Sequence, residues 1–137
     1  MTERTRSTSP GLVRLSDSEL VLEDRTQDVR GLDVYDKDGD QIGRVEDLYA
    51  DTQERKVRFL DVSAGGFLGL GGKRFLVPVE ALGEVREDGV VVDQSRKKVA
   101  ESPPFDTDVV PQTPYQREVY EYYGYPPFVM GPYPGGA

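Results

Sequence analysis

The sequence predicts an all-β fold, a small and strongly bent antiparallel barrel of about six strands, with an N-terminal arm and one short C-terminal helix. Three observations predict it. The runs rich in β-formers between residues 31 and 94 are short, they follow one another closely, and Asp-Gly or Gly-Gly pairs separate them. Such spacing is typical of hairpins in a partly closed barrel, and Asp38-Gly39 is expected to form a type I′ turn.

Changes in composition along the chain predict its organisation. Small and polar residues open the chain, and eight of the ten prolines lie beyond residue 102. The predicted segments are a disordered N-terminus (1–11), an arm (12–30), the barrel (31–100), a linker (101–112), the helix (113–124) and an irregular or disordered tail (125–137). Within the arm, Ser16 could cap a helical turn with Glu19 as its reciprocal partner, or residues 19–23 could form a short strand. We expect a turn and then an extended stretch across the barrel.

The barrel strands are predicted at 32–35, 41–51, 56–63, 73–79, 84–86 and 90–93. In the second strand, Ile42 and Leu48 share one parity and Val45 has the other, so a flat strand cannot bury all three on one face. A bulge between residues 43 and 46 would reconcile them. The fourth strand contains Pro78, which cannot donate to a ladder and therefore indicates a sheet edge or a strand end. A short turn, with 3₁₀ geometry as one possibility, follows it at residues 80–82.

The strand at residues 56–63 is apolar on both faces. Val57 and Phe59 share one face, whereas Leu60 and Val62 share the other. One face belongs to the core, so the second needs a cover, either a tail of this chain or a second subunit.

The C-terminal helix has recognisable ends. Thr113 is the expected N-cap, Pro114 occupies the first helical position, and Gly124 stops the helix. Four side chains, Tyr115, Val119, Tyr122 and Tyr123, are predicted to share one face. That face either packs on the chain's own barrel or docks on a partner or a sister subunit.

Charge and composition limit the possible functions. The net charge is -8, which disfavours phosphate backbones and anionic membrane surfaces. Arg96-Lys97-Lys98 is expected to be a solvated turn, with a docking patch as the alternative. Because Cys and His are absent, there is no thiolate ligand or thiol nucleophile, and the commonest general base is missing. No apolar run approaches the ~20 residues of a spanning helix and no secretory signal is evident, so we expect a cytoplasmic protein without membrane insertion.

Two motifs suggest ligand binding. Asp36, Asp38 and Asp40 resemble the start of a calcium loop, but Gln41 stands where that loop needs Gly, so solvated turn formers are favoured over a calcium site. The glycine-rich stretch 65–73 fits no phosphate-loop template, because Lys73 is followed by Arg74. It is either a plain connection or a contact surface that presents three large apolar residues, Phe67, Leu68 and Leu70.

The runs DVRGLDVYDKDGDQIGRVEDLYAD, KVRFLDVSAGGFLGLGGKRFLVPVEAL and GVVVD resemble the PRC-barrel family over residues 28–95. That family includes the cytoplasmic domain of the photosynthetic reaction-centre H subunit and the C-terminal domain of a ribosome-maturation factor. The lead-in and the tyrosine-rich helix are similar to free-standing bacterial members. The resemblance implies a β-barrel adaptor with no family-wide catalytic residue. The chain lacks both the membrane helix of the H subunit and the N-terminal barrel of the ribosome factor.

The sequence therefore predicts a non-enzymatic protein-interaction module of the PRC-barrel type that forms a homodimer or a higher oligomer. No cofactor, metal or nucleic acid is expected. The residues predicted to bind a protein partner are Phe67, Leu68, Leu70, Tyr115, Val119, Tyr122 and Tyr123. The alternatives are a role like that of the H subunit in photosynthetic electron transfer and a binding role linked to ribosome or RNA maturation.

Overall fold

Seven strands and two helices form the described part of the chain. The computed structural model describes residues 11–64 and 73–126. The strands are β1 (Leu12–Arg14), β2 (Asp33–Tyr35), β3 (Gln41–Asp51), β4 (Lys56–Ala64), β5 (Arg74–Pro78), β6 (Leu82–Val85) and β7 (Gly89–Val92). The helices are α1 (Arg96–Ala100) and α2 (Thr113–Tyr123), and 3₁₀ turns occupy Leu15–Asp17, Arg25–Gln27 and Val79–Ala81.

The strands form one sheet in the order β5-β4-β3-β2-β7-β6, and β1 adds to β3. The expectation of a purely antiparallel sheet is wrong at one pair, because β2 and β7 run parallel. The β2–β3 and β6–β7 hairpins lie side by side, and β2 of the first hairpin meets β7 of the second. The strand beyond the expected six is β1, which the arm contributes.

The sheet curls into a half-closed barrel. Its two end strands, β5 and β6, are consecutive in the chain and are joined only by the 3₁₀ turn Val79–Ala81. The ends of the sheet must therefore approach each other at that point. A hydrogen bond of 2.7 Å from the Asp93 N–H to the Ala81 carbonyl ties the turn to the end of β7. Pro78 ends the edge strand β5, as its missing donor predicts.

The bulge predicted in β3 is present. The register against β4 shifts between Val45 and Asp47, and again between Tyr49 and Ala50. The first shift brings Val45 and Leu48 to one face, opposite Val62 and Leu60 of β4. Ile42 lies at a further shift against β2, where Val34 pairs with Gly43 and Tyr35 pairs with Gln41. The second shift against β4 lets the end of β3 stay buried while it pairs with both β1 and β4.

The β2–β3 turn differs from the predicted type I′ geometry. Gly39 has a φ of 89°, but Asp38 does not enter the left-handed region. Instead, the Asp36 N–H donates to the Asp40 carbonyl, and Asp36 Oδ1 accepts hydrogen bonds of 2.9 Å from the N–H groups of Asp38 and Asp40. The side chain of Asp36 thus organises a longer loop, in which one residue rather than two needs positive φ.

Both faces of β4 are buried, and the chain's own C-terminal helix supplies the second cover. Phe59 and Leu60, which point to opposite faces, are both inaccessible to solvent. On the Phe59 face, the ring of Tyr120 from α2 lies 5.3 Å away. We call this covered side of β3, β4 and β5 the outer face.

The arm also packs on the barrel. Leu15, Leu22 and Val29 from the arm are buried in the core. Ser16 forms no capping box with Glu19 and binds Asp47 instead. Residues 19–23 form no strand, so that alternative is wrong. The segment Arg96–Ala100 is a single helical turn capped by the Ser95 side chain rather than a simple turn.

Candidate protein-interaction surfaces

The outer face is aromatic at one end and charged at the other. Tyr49 on β3 faces Phe59 on β4, and two residues further on Asp47 faces Asp61. All four side chains are largely or fully buried. Two opposed carboxylates on neighbouring strands repel each other, so each must be compensated separately.

Asp61 is compensated by Arg74 at the start of β5. The Arg74 Nε donates to Asp61 Oδ1 over 2.8 Å, and its terminal nitrogen donates to Oδ2 over 2.5 Å. Burial raises the pKa of the Asp61 carboxyl, and the hydrogen bonds from Arg74 oppose that rise. A buried carboxylate held by a bidentate guanidinium is a structural ion pair.

Asp47 is compensated by hydrogen bonds rather than by a close cation. Its Oδ1 accepts from the Ser16 N–H over 3.2 Å, the Ser16 hydroxyl over 2.9 Å and the Leu48 N–H over 2.9 Å. The two opposed carboxylates therefore have separate structural partners.

Tyr49 links the arm to the predicted linker, residues 101–112. Its hydroxyl accepts hydrogen bonds from Arg14 Nε over 3.0 Å and from an Arg14 terminal nitrogen over 2.8 Å, and Arg14 also donates to the Thr107 carbonyl. The Phe105 ring meets the Tyr49 ring edge-on at 5.9 Å. Burial raises the pKa of Tyr49. The predicted linker is thus anchored to the barrel at residues 105 and 107.

The buried face of α2 is displaced from the predicted one. The side chains that it buries are Gln116, Val119, Tyr120 and Tyr123, a spacing of i, i+3, i+4 and i+7. Val119 and Tyr123 therefore pack within the chain and are not on its surface, whereas Tyr115 and Tyr122 are half-exposed at the edge of the contact. Sequence reasoning missed Gln116 and Tyr120, although the i, i+3, i+4, i+7 pattern was present to find them.

The two half-exposed tyrosines anchor α2 to the chain that precedes it. The Tyr115 hydroxyl donates to the Pro103 carbonyl over 3.2 Å, and the Tyr122 hydroxyl donates to the Lys98 carbonyl over 2.6 Å. The Lys98 ammonium lies 4.3 Å from the centre of the Tyr122 ring. Lys98 of the basic run is thus engaged within the chain.

A small apolar groove lies where the predicted linker meets α2. Its volume is about 160 Å³, and its walls include the Phe105 and Tyr115 rings, which stack at 6.3 Å with an interplanar angle of 4°. Val109 on its rim is 51% exposed and Val110 is partly buried. We call this hollow, lined by residues 104–106, 109–112 and 115, the C-terminal groove.

The family of the chain follows from its sequence and agrees with this fold. Residues 23–99 match the family model of the PRC-barrel domain, and they make up more than half of the 137 residues. The chain belongs to the PRC-barrel family. No curated protein matches the chain.

The family match leaves out two parts of the structure. It begins after β1 and ends at residue 99, before the segment that covers the outer face. The PRC barrel of this chain thus carries additions at both ends, and the C-terminal groove belongs entirely to one of them. None of the described helices is both long and apolar enough to cross a membrane.

The remaining predicted site residues fall in different places. Phe67, Leu68 and Leu70 lie outside the described residues. The described residues on either side are joined by a hydrogen bond of 2.9 Å from the Ala64 N–H to the Lys73 carbonyl. On the β2–β3 loop, Asp36 is buried and acts as the turn former described above. Within residues 11–64 and 73–126, no three acidic side chains gather as they would around a metal ion.

One edge of the PRC barrel is open to solvent. β6 is the last strand of the sheet, and the run Gly83, Glu84 and Val85 is exposed along it. Val85 is 55% exposed, the largest value among the described exposed large hydrophobic side chains. The opposite end strand, β5, has both α1 and α2 against it.

Proposed function

We propose that this protein is a non-catalytic PRC-barrel module that self-associates and holds a partner protein against its C-terminal groove. The groove is the observation that carries the proposal. Its walls combine the stacked Phe105 and Tyr115 rings with the exposed Val109 side chain, and apolar patches with polar rims are typical of protein contacts. The partner that fits would insert one apolar or aromatic side chain between Val109 and Tyr115.

The placement of the buried ionisable groups supports a role without catalysis. The buried carboxylates of the described residues are hydrogen-bonded to turn amides (Asp36 and Asp51), to Ser16 (Asp47) and to Arg74 (Asp61). General acid–base catalysis needs a group that can reach a substrate from an open cleft. These carboxylates instead stabilise strands and turns.

The apolar second face of β4 does not require a second subunit. The sequence suggested that the second face of β4 needs a cover, and α2 of the same chain lies there. Self-association must therefore use another surface, and the open β6 edge is the surface that supports it. The family match favours neither photosynthetic electron transfer nor RNA maturation.

The groove is tested by Val109→Glu with Val21→Glu as the matched control. Both valines are 51% exposed, and both changes add one negative charge, but Val21 lies in the arm away from the groove. The proteins captured by cross-linking in a native cell extract should include a partner that Val109→Glu loses and Val21→Glu keeps. Identical capture by the two variants would refute the groove as the contact site, provided that both melt like the wild type.

A further inference from the structure

We propose that β6 pairs antiparallel with β6 of a second copy of this chain, with Val85 on the twofold axis. This inference rests on the self-association proposed above and names the surface that performs it. The backbone, the apolar side of β6 and its charged side each point to the same arrangement.

The backbone of Val85 offers its hydrogen-bonding groups to the free edge. The Arg86 N–H donates to the Gly89 carbonyl over 2.7 Å. Glu84, two residues earlier, is opposite Val91, so its backbone groups also point toward β7. In an antiparallel ladder, residues alternate between those that bond one neighbour and those that bond the other. The N–H and carbonyl of Val85 therefore point away from β7. A twofold axis through Val85 would let two copies exchange two hydrogen bonds there.

An apolar row of the core runs out to this edge and stops. Val34 on β2 is paired with Val90 on β7, and Val90 is paired with Val85 on β6, so the three side chains share one face of the sheet. Their exposed fractions are 1%, 0% and 55% in that order. Val85 of the partner subunit would continue the row and remove the exposed end from water.

The charges on the other side of β6 are self-complementary. Glu84 and Arg86 point to the side opposite Val85 and form an ion pair of 3.0 Å. With Val85 on the axis, Glu84 lies opposite Arg86 of the partner subunit, and Arg86 lies opposite Glu84 of the partner subunit. Cross-strand pairs of opposite charge are favourable and like charges are unfavourable, so this sequence matches itself in this register. The same self-match is the reason to prefer a second copy over an unrelated strand.

Charge swaps test the register directly. Glu84→Arg would place Arg opposite Arg86 of the partner subunit, and Arg86→Glu would create the corresponding acidic clash. The double variant Glu84→Arg/Arg86→Glu restores complementarity. Glu118→Arg and Arg117→Glu on the exposed side of α2 are matched controls, because each makes the same change of charge away from β6.

Sedimentation over a concentration series up to about 1 mM is the measurement, because a contact of one short strand is expected to be weak. Each single swap should weaken dimerisation by at least about fivefold, since two symmetric pairs change together. The double swap and both controls should stay within about twofold of the wild type. In hydrogen exchange, the Val85 amide should become slower to exchange as the concentration rises, whereas the Arg86 amide should not change.

The two possible failures can be told apart. A wild-type chain that stays monomeric across the series would overturn both the self-association and this pairing. If neither single swap weakens dimerisation, or if the double swap does not restore it, the β6 pairing is overturned. Self-association would then use another surface. Thermal melts that match the wild type are required of every variant, because β6 belongs to the fold.

Discussion

Replacing Arg74 with Met tests the assignment of the Asp61–Arg74 pair as a structural ion pair. The change keeps the aliphatic stem and removes the guanidinium. The fully buried carboxylate of Asp61 then has lost its partner. Two unit charges about 4 Å apart interact by about 4 kcal/mol at an effective dielectric constant of 20. Breaking a buried pair costs about 3–5 kcal/mol. Because Arg74 is 34% exposed, we expect a loss of about 3 kcal/mol in the free energy of unfolding at pH 7.

The dependence of this loss on pH distinguishes a charge effect from lost packing. Burial already raises the pKa of Asp61 above its ordinary value of 3.8, and removal of Arg74 should raise it further. A carboxyl with a raised pKa in the folded state contributes its stability below the unfolded pKa and loses it as the pH rises through the folded pKa. The stability gap between wild type and Arg74→Met should therefore be small near pH 4 and widen toward pH 7.

Urea unfolding at several pH values measures the gap, and effects of carboxylates common to both proteins cancel in the difference. The double variant Asp61→Asn/Arg74→Met should recover much of the loss at pH 7, because it leaves no buried charge without a partner. Arg86→Met, which breaks the exposed pair with Glu84, should change stability little. A gap that stays constant with pH would refute the reasoning, since the loss would then come from packing.

Three further predictions follow from local packing and charge. Gly43→Ala should destabilise the fold by about 3 kcal/mol or more in urea unfolding, because its Cβ would clash with the backbone carbonyl of Ser63 on β4. Tyr120→Ala should cost about 3–5 kcal/mol by the same measurement, because this 1% exposed ring covers the outer face. Arg30 lowers the pKa of Asp28, so Asp28→Asn should cost up to about 1 kcal/mol at neutral pH, and the cost should vanish in acid titrations as the pH falls through the folded pKa of Asp28.

The sequence was most informative where a burial pattern conflicted with simple geometry. The parity of Ile42, Val45 and Leu48 required a bulge, and the register shift of β3 lies there. Pro78 indicated an edge or an end, and it is both. In these places one local rule admits few solutions, so a single sequence is enough.

The parallel pair β2–β7 could not be predicted in the same way. It joins residues more than fifty positions apart, and nothing in the sequence of either strand indicates which strand lies beside it. The pairing of β1 with β3 has the same character, because Leu12–Arg14 is too short to show a period. Such contacts depend on the closed shape of the whole sheet.

The candidate site was partly predictable for a related reason. The sequence predicts the C-terminal helix and its end at Gly124, but the N-cap is Gln112 rather than Thr113. A tyrosine-rich helix can also show several plausible faces. Tyr122 is predicted on the packed face and lies at its edge, whereas Tyr120, which is absent from the predicted face, lies against Phe59. The groove of Phe105 and Tyr115 needed the chain to fold back through the predicted linker, which no period in the sequence indicates.

The two proposed contacts lie in different parts of the protein. The β6 edge lies inside the PRC-barrel match, whereas the C-terminal groove lies in the segment added after residue 99. The two surfaces share no lining residue, and changes at separated sites that share no partner usually add. Val109→Glu should therefore remove the partner without altering dimerisation, and Glu84→Arg should weaken the dimer without altering partner capture. The barrel would then serve for self-association, and its added cover would select the partner.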